Sequence, residues 1–486
     1  MPPEESNFTE IGYIVSCFSG VAKVHGIPHV FLHEVLLDDA GKEIGIVIGF
    51  DEKSVEVLLF DDDILLENPL YRSHRRFSIP ISDGIVGRVI DGLGQPLDGE
   101  TVLSGDKIPV FTSAPGIIDR QEVHEPITTG IKIIDATLPL GKGQRELIIG
   151  DRNLGKSTIA LDTVLNQKNA DPTVYCIYVL CGKKTRYMNH LVSTLKEYGA
   201  FLYTTVVAAT SNSTFAEKYL SPFVGVTIGE YFRDRGKHAL VVYDDLSEHA
   251  KCYRDVSLLL ERAPGREAYP GDVFSLHASL LERAAKLSDD KGGGSLTALP
   301  IVETQEGDVT SFIPTNIISI TDGQIYLERG LYQKGFIPAI NVGLSVSRVG
   351  GKAQPPLLRQ VTAGLRLVLS QQNELQKLTQ LETVVSQESK KKIYRGELTL
   401  ELLKQEKHQN VSWKEQVVLF YAVEEGMLDD LKEEQWVRFK GELLEILRNK
   451  YPHILEKIGD GVFDDGVKGK IKDIIEDFKK EILLKG

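Results

Sequence analysis

Apolar and polar positions alternate along the chain in three different ways. From residue 12 to about 71, short apolar runs are broken by turn residues and no helical period appears. The runs 45–50 and 55–60 flank the polar turn Asp51-Glu52-Lys53-Ser54, which predicts a hairpin. A small antiparallel β-barrel over residues 1–71 accounts for this pattern. From about 72 to 355, nearly continuous apolar runs alternate with helical stretches, as βαβ units around a buried parallel sheet require. The expected strands are 146–149, 173–180, 201–207, 239–243 and 299–302. Beyond about residue 356 glycine and proline thin out, charges rise and a helical period takes over. Residues 356–486 therefore read as a helical bundle. The last stretch sets Ile471, Ile474, Ile475, Phe478 and Ile482 on one face, which the bundle itself is expected to cover. The expected fold class is multidomain α and β.

One stretch inside the central part carries chemistry. Gly150-Asp151-Arg152-Asn153-Leu154-Gly155-Lys156-Ser157 fits a phosphate-binding loop: glycine, four residues, then Gly-Lys-Ser/Thr. An apolar strand precedes it, and Thr158, Ile159, Ala160, Leu161, Val164 and Leu165 follow at helical spacing. Glycines let the backbone turn its N–H groups toward phosphate oxygens, and the helix N-terminus adds a favourable dipole. Lys156 is placed to reach the β- and γ-phosphates, and the Ser157 hydroxyl to bind magnesium. Such a site also needs an acidic residue at the end of a neighbouring apolar strand. The run Ala239-Leu240-Val241-Val242-Tyr243-Asp244-Asp245 supplies it, with Asp244 the candidate on the magnesium side. A helix cap is the ordinary alternative for an aspartate after a strand.

Turnover asks for one group more, a carboxylate or amide that positions the attacking water. It is expected after the strand beside the phosphate loop, where this chain has Cys181-Gly182-Lys183-Lys184. A lysine is no base near neutral pH unless strongly desolvated. The loop is therefore expected to bind nucleotide and hydrolyse it poorly, with Glu230 and Glu303 as the remaining carboxylate candidates.

Composition narrows the picture. The 486 residues carry a net charge of −13, from 69 acidic against 56 basic residues. That balance argues against a nucleic-acid coat or a basic membrane-surface protein. The four cysteines, Cys17, Cys176, Cys181 and Cys252, show neither metal spacing nor a disulfide framework. The acidic start Met1-Pro2-Pro3-Glu4-Glu5 predicts no secretory leader, and no apolar run approaches the ~20 residues of a spanning helix.

Several longer segments now carry a resemblance. They are Gly143-Gln144-Arg145-Glu146-Leu147-Ile148-Ile149-Gly150-Asp151-Arg152, Glu230-Tyr231-Phe232-Arg233-Asp234 and Tyr243-Asp244-Asp245-Leu246-Ser247. To these add the stretch from Pro264-Gly265-Arg266 to Val273-Phe274, and Ile313-Pro314-Thr315-Asn316 with Asp322-Gly323-Gln324. The last runs from Ala339-Ile340-Asn341 to Ser347-Arg348-Val349-Gly350. Over nearly its whole length the chain resembles the alpha subunits of F-type ATP synthases. The resemblance implies a β-barrel crown (1–71), a RecA-like P-loop domain (72–355) and a C-terminal helical domain (356–486). It implies ATP or ADP with Mg2+ held but not turned over, in a proton- or sodium-driven rotary machine. Three such chains would alternate with three catalytic beta subunits in a hexameric ring around a central gamma stalk. Peripheral-stalk delta and b subunits and a membrane ion-translocating sector would complete the assembly, at the cytoplasmic face of the cell membrane. No nucleic acid is implied. Arg348 would act as an arginine finger on the adjacent beta site. Tyr332, Pro338 and Gln405 would surround the base of the bound nucleotide.

The chain departs from that family's pattern in places. Asn153-Leu154 stands for the usual Gln-Thr, Lys183 for glutamine, Ile337 for arginine and Lys407 for glutamine. Val384-Val385-Ser386 replaces an acidic stretch near the rotor, and the stalk-binding helix before the barrel is expected to be missing. Two rival readings remain. An autonomous ring ATPase of a secretion-type motor needs its own catalytic carboxylate. A ring helicase needs basic, aromatic-rich stretches, which this acidic chain lacks.

Overall fold

The computed structural model describes residues 10–51, 53–61, 69–371 and 387–485. Its first element is the expected barrel. Strands β1 (Ile11–Phe18), β2 (Val21–His25), β3 (Glu34–Leu37), β4 (Glu43–Phe50), β5 (Val55–Leu59) and β6 (Pro69–Arg76) close in the order β1-β2-β5-β4-β3-β6. The hairpin read from the sequence is there, with Gly45 opposite Leu59 and Phe50 opposite Val55. Closure leaves no free edge, and alternate residues such as Val24, Leu36, Val47, Val57 and Leu70 fill the interior. The barrel runs five residues past the expected boundary at 71, because β6 pairs with both β1 and β3.

The chain divides into two compact units, and they do not follow the linear three-part division. The first comprises residues 1–121, 170–304 and 308–321; the second comprises 122–169, 305–307 and 322–486. Besides the barrel, the first unit holds a parallel sheet. Its strands pair in the order Val89–Ile90, Thr204–Thr210, Val174–Lys183, His238–Asp244 and Ser295–Thr304. His238–Asp244 is buried along its whole length, as a strand covered on both faces must be. The second unit holds Leu147–Asp151 parallel to Gly323–Leu327, which pairs in turn antiparallel with Val346–Ser347. Its C-terminal part is helical: Pro356–Thr362, Gln387–Leu403, Trp413–Glu424, Glu433–Lys450, Pro452–Gly459 and Asp465–Lys485. The fold class read from the sequence holds: an N-terminal barrel, a central α/β nucleotide-binding domain and a C-terminal helical domain.

The last helix packs as expected. Ile471, Ile474, Ile475 and Phe478 are buried, and the Phe478 ring lies 5.6 Å from that of Phe439 of Glu433–Lys450, tilted by 36°. One strand moved. The run expected at 201–207 is paired only from Thr204 to Thr210, because a 3₁₀ turn over Ala200–Tyr203 uses its first residues. Val384, Val385 and Ser386 and the side chain of Ile482 lie outside the described residues.

Candidate nucleotide-binding site

In the second unit the strand Leu147–Asp151 turns through the loop into the helix Lys156–Leu165. The turn depends on three backbone positions. A Cβ at Gly150 would lie 2.7 Å from the Leu327 carbonyl oxygen, so only glycine lets the neighbouring strand come this close. Asn153 and Gly155 take the left-handed conformation, with φ of 65° and 95°. Asparagine tolerates that region and glycine enters it freely, so this departure from the family's usual Gln-Thr keeps the turn. Leu154 is buried beneath the loop, whereas Arg152 and Asn153 face outward. Lys156 is buried and arches back, its Nζ donating to the carbonyls of Gly150 (2.9 Å) and Asp151 (2.8 Å). Ser157 and Thr158 are half-buried in the first helical turn. Asp151 fixes the loop from outside. It accepts from Gly307 N at 2.8 Å and pairs with Arg329 at 3.3 Å. A ten-residue helix pointing its N-terminus out of a glycine-hinged loop, with an ammonium among the turns, is built to hold an anion.

The three base-side candidates also lie in this unit. Tyr332 is exposed on the short helix Arg329–Gln333, and Pro338 is half-buried after the exposed Ile337. The chain at Gln405 joins that segment, since Gln405 N donates to Ile337 O at 2.8 Å. The Gln405 side chain is already occupied. Its Nε2 donates to Gly130 O and Gln409 O at 2.7 Å each, and its Oε1 accepts from Lys132 N at 3.0 Å. Only the second lone pair of Oε1 remains for a base, so Gln405 serves first as a staple.

Sequence reasoning missed the rest of this staple. His408 donates its backbone N–H to Asp162 and brings its Nδ1 to 2.7 Å from Asp162 Oδ1, while Asn410 donates to Asp162 O at 2.7 Å. Asp162 lies on the helix that follows the phosphate loop, so the loop around 405–410 is tied to that helix. Burial pushes the Asp162 carboxyl above its ordinary value, and the His408 contacts oppose the rise. Lys132, fully buried, donates to the carbonyls of Leu402 and Lys404 at the end of Gln387–Leu403. Burial holds its ammonium well below the usual lysine range. No local spacing announces these pairs, which join residues 246 to 272 apart.

Arg348 follows Val346–Ser347. Its backbone N–H donates to Asp322 O at 2.9 Å, and its exposed side chain makes no hydrogen bond or ion pair among the described residues. The segment beneath it is held firmly. Asp322 takes a two-toothed contact from Arg145 (2.7 and 3.0 Å), and Gln144 donates to Glu146 (2.7 Å) and Ser347 Oγ (3.2 Å).

In the first unit, Asp244 ends the strand His238–Asp244 and is fully buried. Its Oδ2 accepts from the hydroxyls of Tyr178 and Tyr187, both at 3.1 Å. Asp245 is the helix cap, its Oδ1 accepting from Glu248 N at 2.9 Å at the start of Leu246–Leu259. The spacing Asp245–Glu248 is the sequence mark of such a cap. Lys183, from the adjacent strand, sets its Nζ 2.9 Å from Asp244 Oδ1 and 2.8 Å from Asp245 Oδ2. Burial works to lower the Lys183 pKa, but the two carboxylates outweigh it and hold the ammonium above its ordinary value. Lys183 is thus a fixed cation and no base. Glu230 does not stand in for the missing carboxylate: it is buried against Arg283, Arg233 and Thr112. Glu303 is half-buried near the end of Ser295–Thr304.

Residues 130–347 match the ATP synthase alpha/beta family, nucleotide-binding domain, and residues 354–478 match the ATP synthase alpha/beta chain, C terminal domain. The chain is 49% identical to the ATP synthase subunit alpha of Aquifex aeolicus (strain VF5), covering 99% of this chain and 95% of that protein. It is 48% identical to those of Helicobacter pylori (strain Shi470) and Helicobacter acinonychis (strain Sheeba), covering 98% of this chain and 95% of each. With both domains matched and identity sustained over nearly its full length, the chain belongs to the ATP synthase alpha/beta family.

Proposed function

We propose that this chain is the non-catalytic, nucleotide-holding alpha-type subunit of a rotary ATP synthase. The observation that carries the reading is Lys183: the sequence has a lysine at the position where turnover would need a water-positioning carboxylate or amide, and that lysine is locked between Asp244 and Asp245. The curated relatives, named ATP synthase subunit alpha, support the same reading. The loop from Gly150 to Thr158 takes the phosphates on its amides and on Lys156. Tyr332 and Pro338 form the stacking side for the base, and Gln405 offers its one remaining acceptor. Ser157 is the magnesium ligand in this reading. Asp244 has its carboxylate oxygens against protein donors and does not fit a direct metal bond. The metal, when bound, would offset phosphate charge; no step of the chemistry is assigned to this chain.

The three-part division into barrel, nucleotide-binding domain and C-terminal helical domain (from 356) belongs to the same reading, with the first boundary moved from 71 to the end of β6 at Arg76. So does a ring in which this chain alternates with catalytic beta-type subunits around a gamma-type stalk. Arg348 is the finger offered to the neighbour's γ-phosphate. Delta- and b-type stalk subunits and a membrane ion-translocating sector complete the partners, with the chain peripheral at the cytoplasmic face of the membrane.

Equilibrium ATP binding and phosphate release by the isolated chain test the proposal. Wild type binds ATP and releases no phosphate at a steady rate, and Lys156→Ala loses most of the binding. Sustained phosphate release by the chain alone contradicts the non-catalytic reading and restores the ring-motor alternative.

A further inference from the structure

Within the second unit, Lys132 opens the short helix Lys132–Thr137 and grips one stretch of chain in two ways. Its backbone N–H donates to Gln405 Oε1 at 3.0 Å. Its Nζ, on a residue only 2% exposed, donates to the carbonyls of Leu402 and, at 3.0 Å, Lys404. These carbonyls lie at the end of Gln387–Leu403, where helical carbonyls lack partners in their own helix and the dipole favours a cation. Lys440 joins from Glu433–Lys450, its Nζ donating to the carbonyls of Glu401 and Lys404 at 3.1 Å each. Both lone pairs of the Lys404 carbonyl are thereby used. The corner that carries Lys132 is itself fixed. Buried Asp135 accepts from Thr129 N at 2.7 Å, Gly130 N at 3.0 Å and Gln416 Nε2 at 2.8 Å. The grip falls on backbone carbonyls, so it sets where the chain runs just before Gln405. Gln405 N in turn donates to Ile337 O at 2.8 Å, one residue before Pro338. A shift of 402–405 would therefore disturb Gln405 and Pro338 together. Among the described residues, no side-chain hydrogen bond of Lys132 goes to the loop Gly150–Ser157.

We infer that Lys132 is a positioning residue for the base side of the nucleotide site: by holding the Leu402 and Lys404 carbonyls it fixes Gln405 and the Ile337–Pro338 segment, and it takes no part in holding phosphate. The inference rests on the nucleotide-binding reading above. Lys132 then matters for ligands that carry a base and not for a bare phosphate chain.

Calorimetry of the purified full chain in magnesium, with ATP and separately with inorganic tripolyphosphate as the titrant, tests it. Lys132→Met keeps an unbranched apolar stem and removes the donors. It is expected to weaken ATP binding about tenfold or more and tripolyphosphate binding by less than about threefold, whereas Lys156→Ala weakens both. A folded Lys132→Met that loses both ligands alike, or neither, overturns the inference and leaves the nucleotide reading standing. A wild-type chain that binds neither ligand removes that reading and the inference with it. Amide exchange of the wild-type chain decides the matter should Lys132→Met fail to fold. Exchange across residues 402–406 is expected to slow with ATP and to stay near the free-chain rate with tripolyphosphate. Unchanged exchange with ATP, or equal slowing with both ligands, overturns the inference.

Discussion

Arg348 and Lys183 are both cations beside an apolar strand, yet their surroundings differ. Lys183 is spent within the chain on two carboxylates, while the Arg348 guanidinium is exposed and uncommitted among the described residues. Its backbone, by contrast, is anchored through Asp322. An exposed arginine on an anchored backbone suits a group that must reach a neighbour's phosphate without losing its aim. Replacing Arg348 with alanine or lysine in a reconstituted ring is expected to leave assembly intact and cut multisite turnover by about three orders of magnitude. Size-exclusion profiles and steady-state ATPase rates check both halves. Near-normal turnover removes the role. The sequence alone showed Arg348 only as a charge after an apolar run. The family resemblance singled it out, and the structure adds its exposure and its anchored backbone.

The first unit also buries a histidine pair that a shift in pH would disturb. His249 Nδ1 meets His277 Nε2 at 3.1 Å, and His249 Nε2 lies 3.1 Å from Tyr219 O. Burial pulls His249 down to about 4 and His277 well below its usual value. In the unfolded chain these rings titrate near 6.5, so between about pH 6.5 and 4 the unfolded state binds more protons. Their contribution is therefore complete above pH 6.5 and declines as pH falls toward 4. His249 contributes about 3 kcal/mol over that window. Asp91, pushed up by burial to about 6, works in the opposite sense. The difference between wild type and His249→Gln isolates the histidine. The melting-temperature advantage of wild type should shrink from pH 7 to 5, and a constant gap would contradict the assignment.

At the scale of elements, the fold was legible wherever the chain's own periodicity decides the structure. The barrel hairpin, four of the five expected central strands and the helix after the phosphate loop fall within a few residues of their expected positions. The fifth began three residues late because Ala200–Tyr203 turns before pairing starts, and a run of apolar residues carries no mark for that. What stayed hidden was long-range. Gln405 read as a base contact, and its amide also ties together Gly130, Gln409 and Lys132, a role the spacing does not announce. Glu230 looked like a spare carboxylate, yet Arg283 and Arg233 claim it. Such pairings depend on which elements the fold brings together, which spacing does not encode. Helix packing at the C-terminus can be tested directly. Phe439 is fully buried against Phe478, so Phe439→Ala is expected to cost about 3–5 kcal/mol. Amide exchange should speed up in both Glu433–Lys450 and Asp465–Lys485. Unchanged protection of the last helix would mean that it is held by other contacts.

At the scale of the molecule, charge and hydropathy bound what the chain can touch. No helix among the described residues is long and apolar enough to cross a membrane. The net charge of −13 disfavours sequence-independent binding to nucleic acid, which rests on neutralising phosphates with lysine and arginine. Titration with single-stranded RNA at low salt is expected to show no saturable shift; salt-sensitive binding would reopen the helicase alternative.

The most direct test of the central claim is ATP turnover measured for this chain alone and then mixed with a catalytic beta-type partner. Bound ATP without steady turnover is expected in the first case, and sustained multisite turnover only in the mixture. Steady hydrolysis by the chain alone, at a rate the partner does not change, would contradict it.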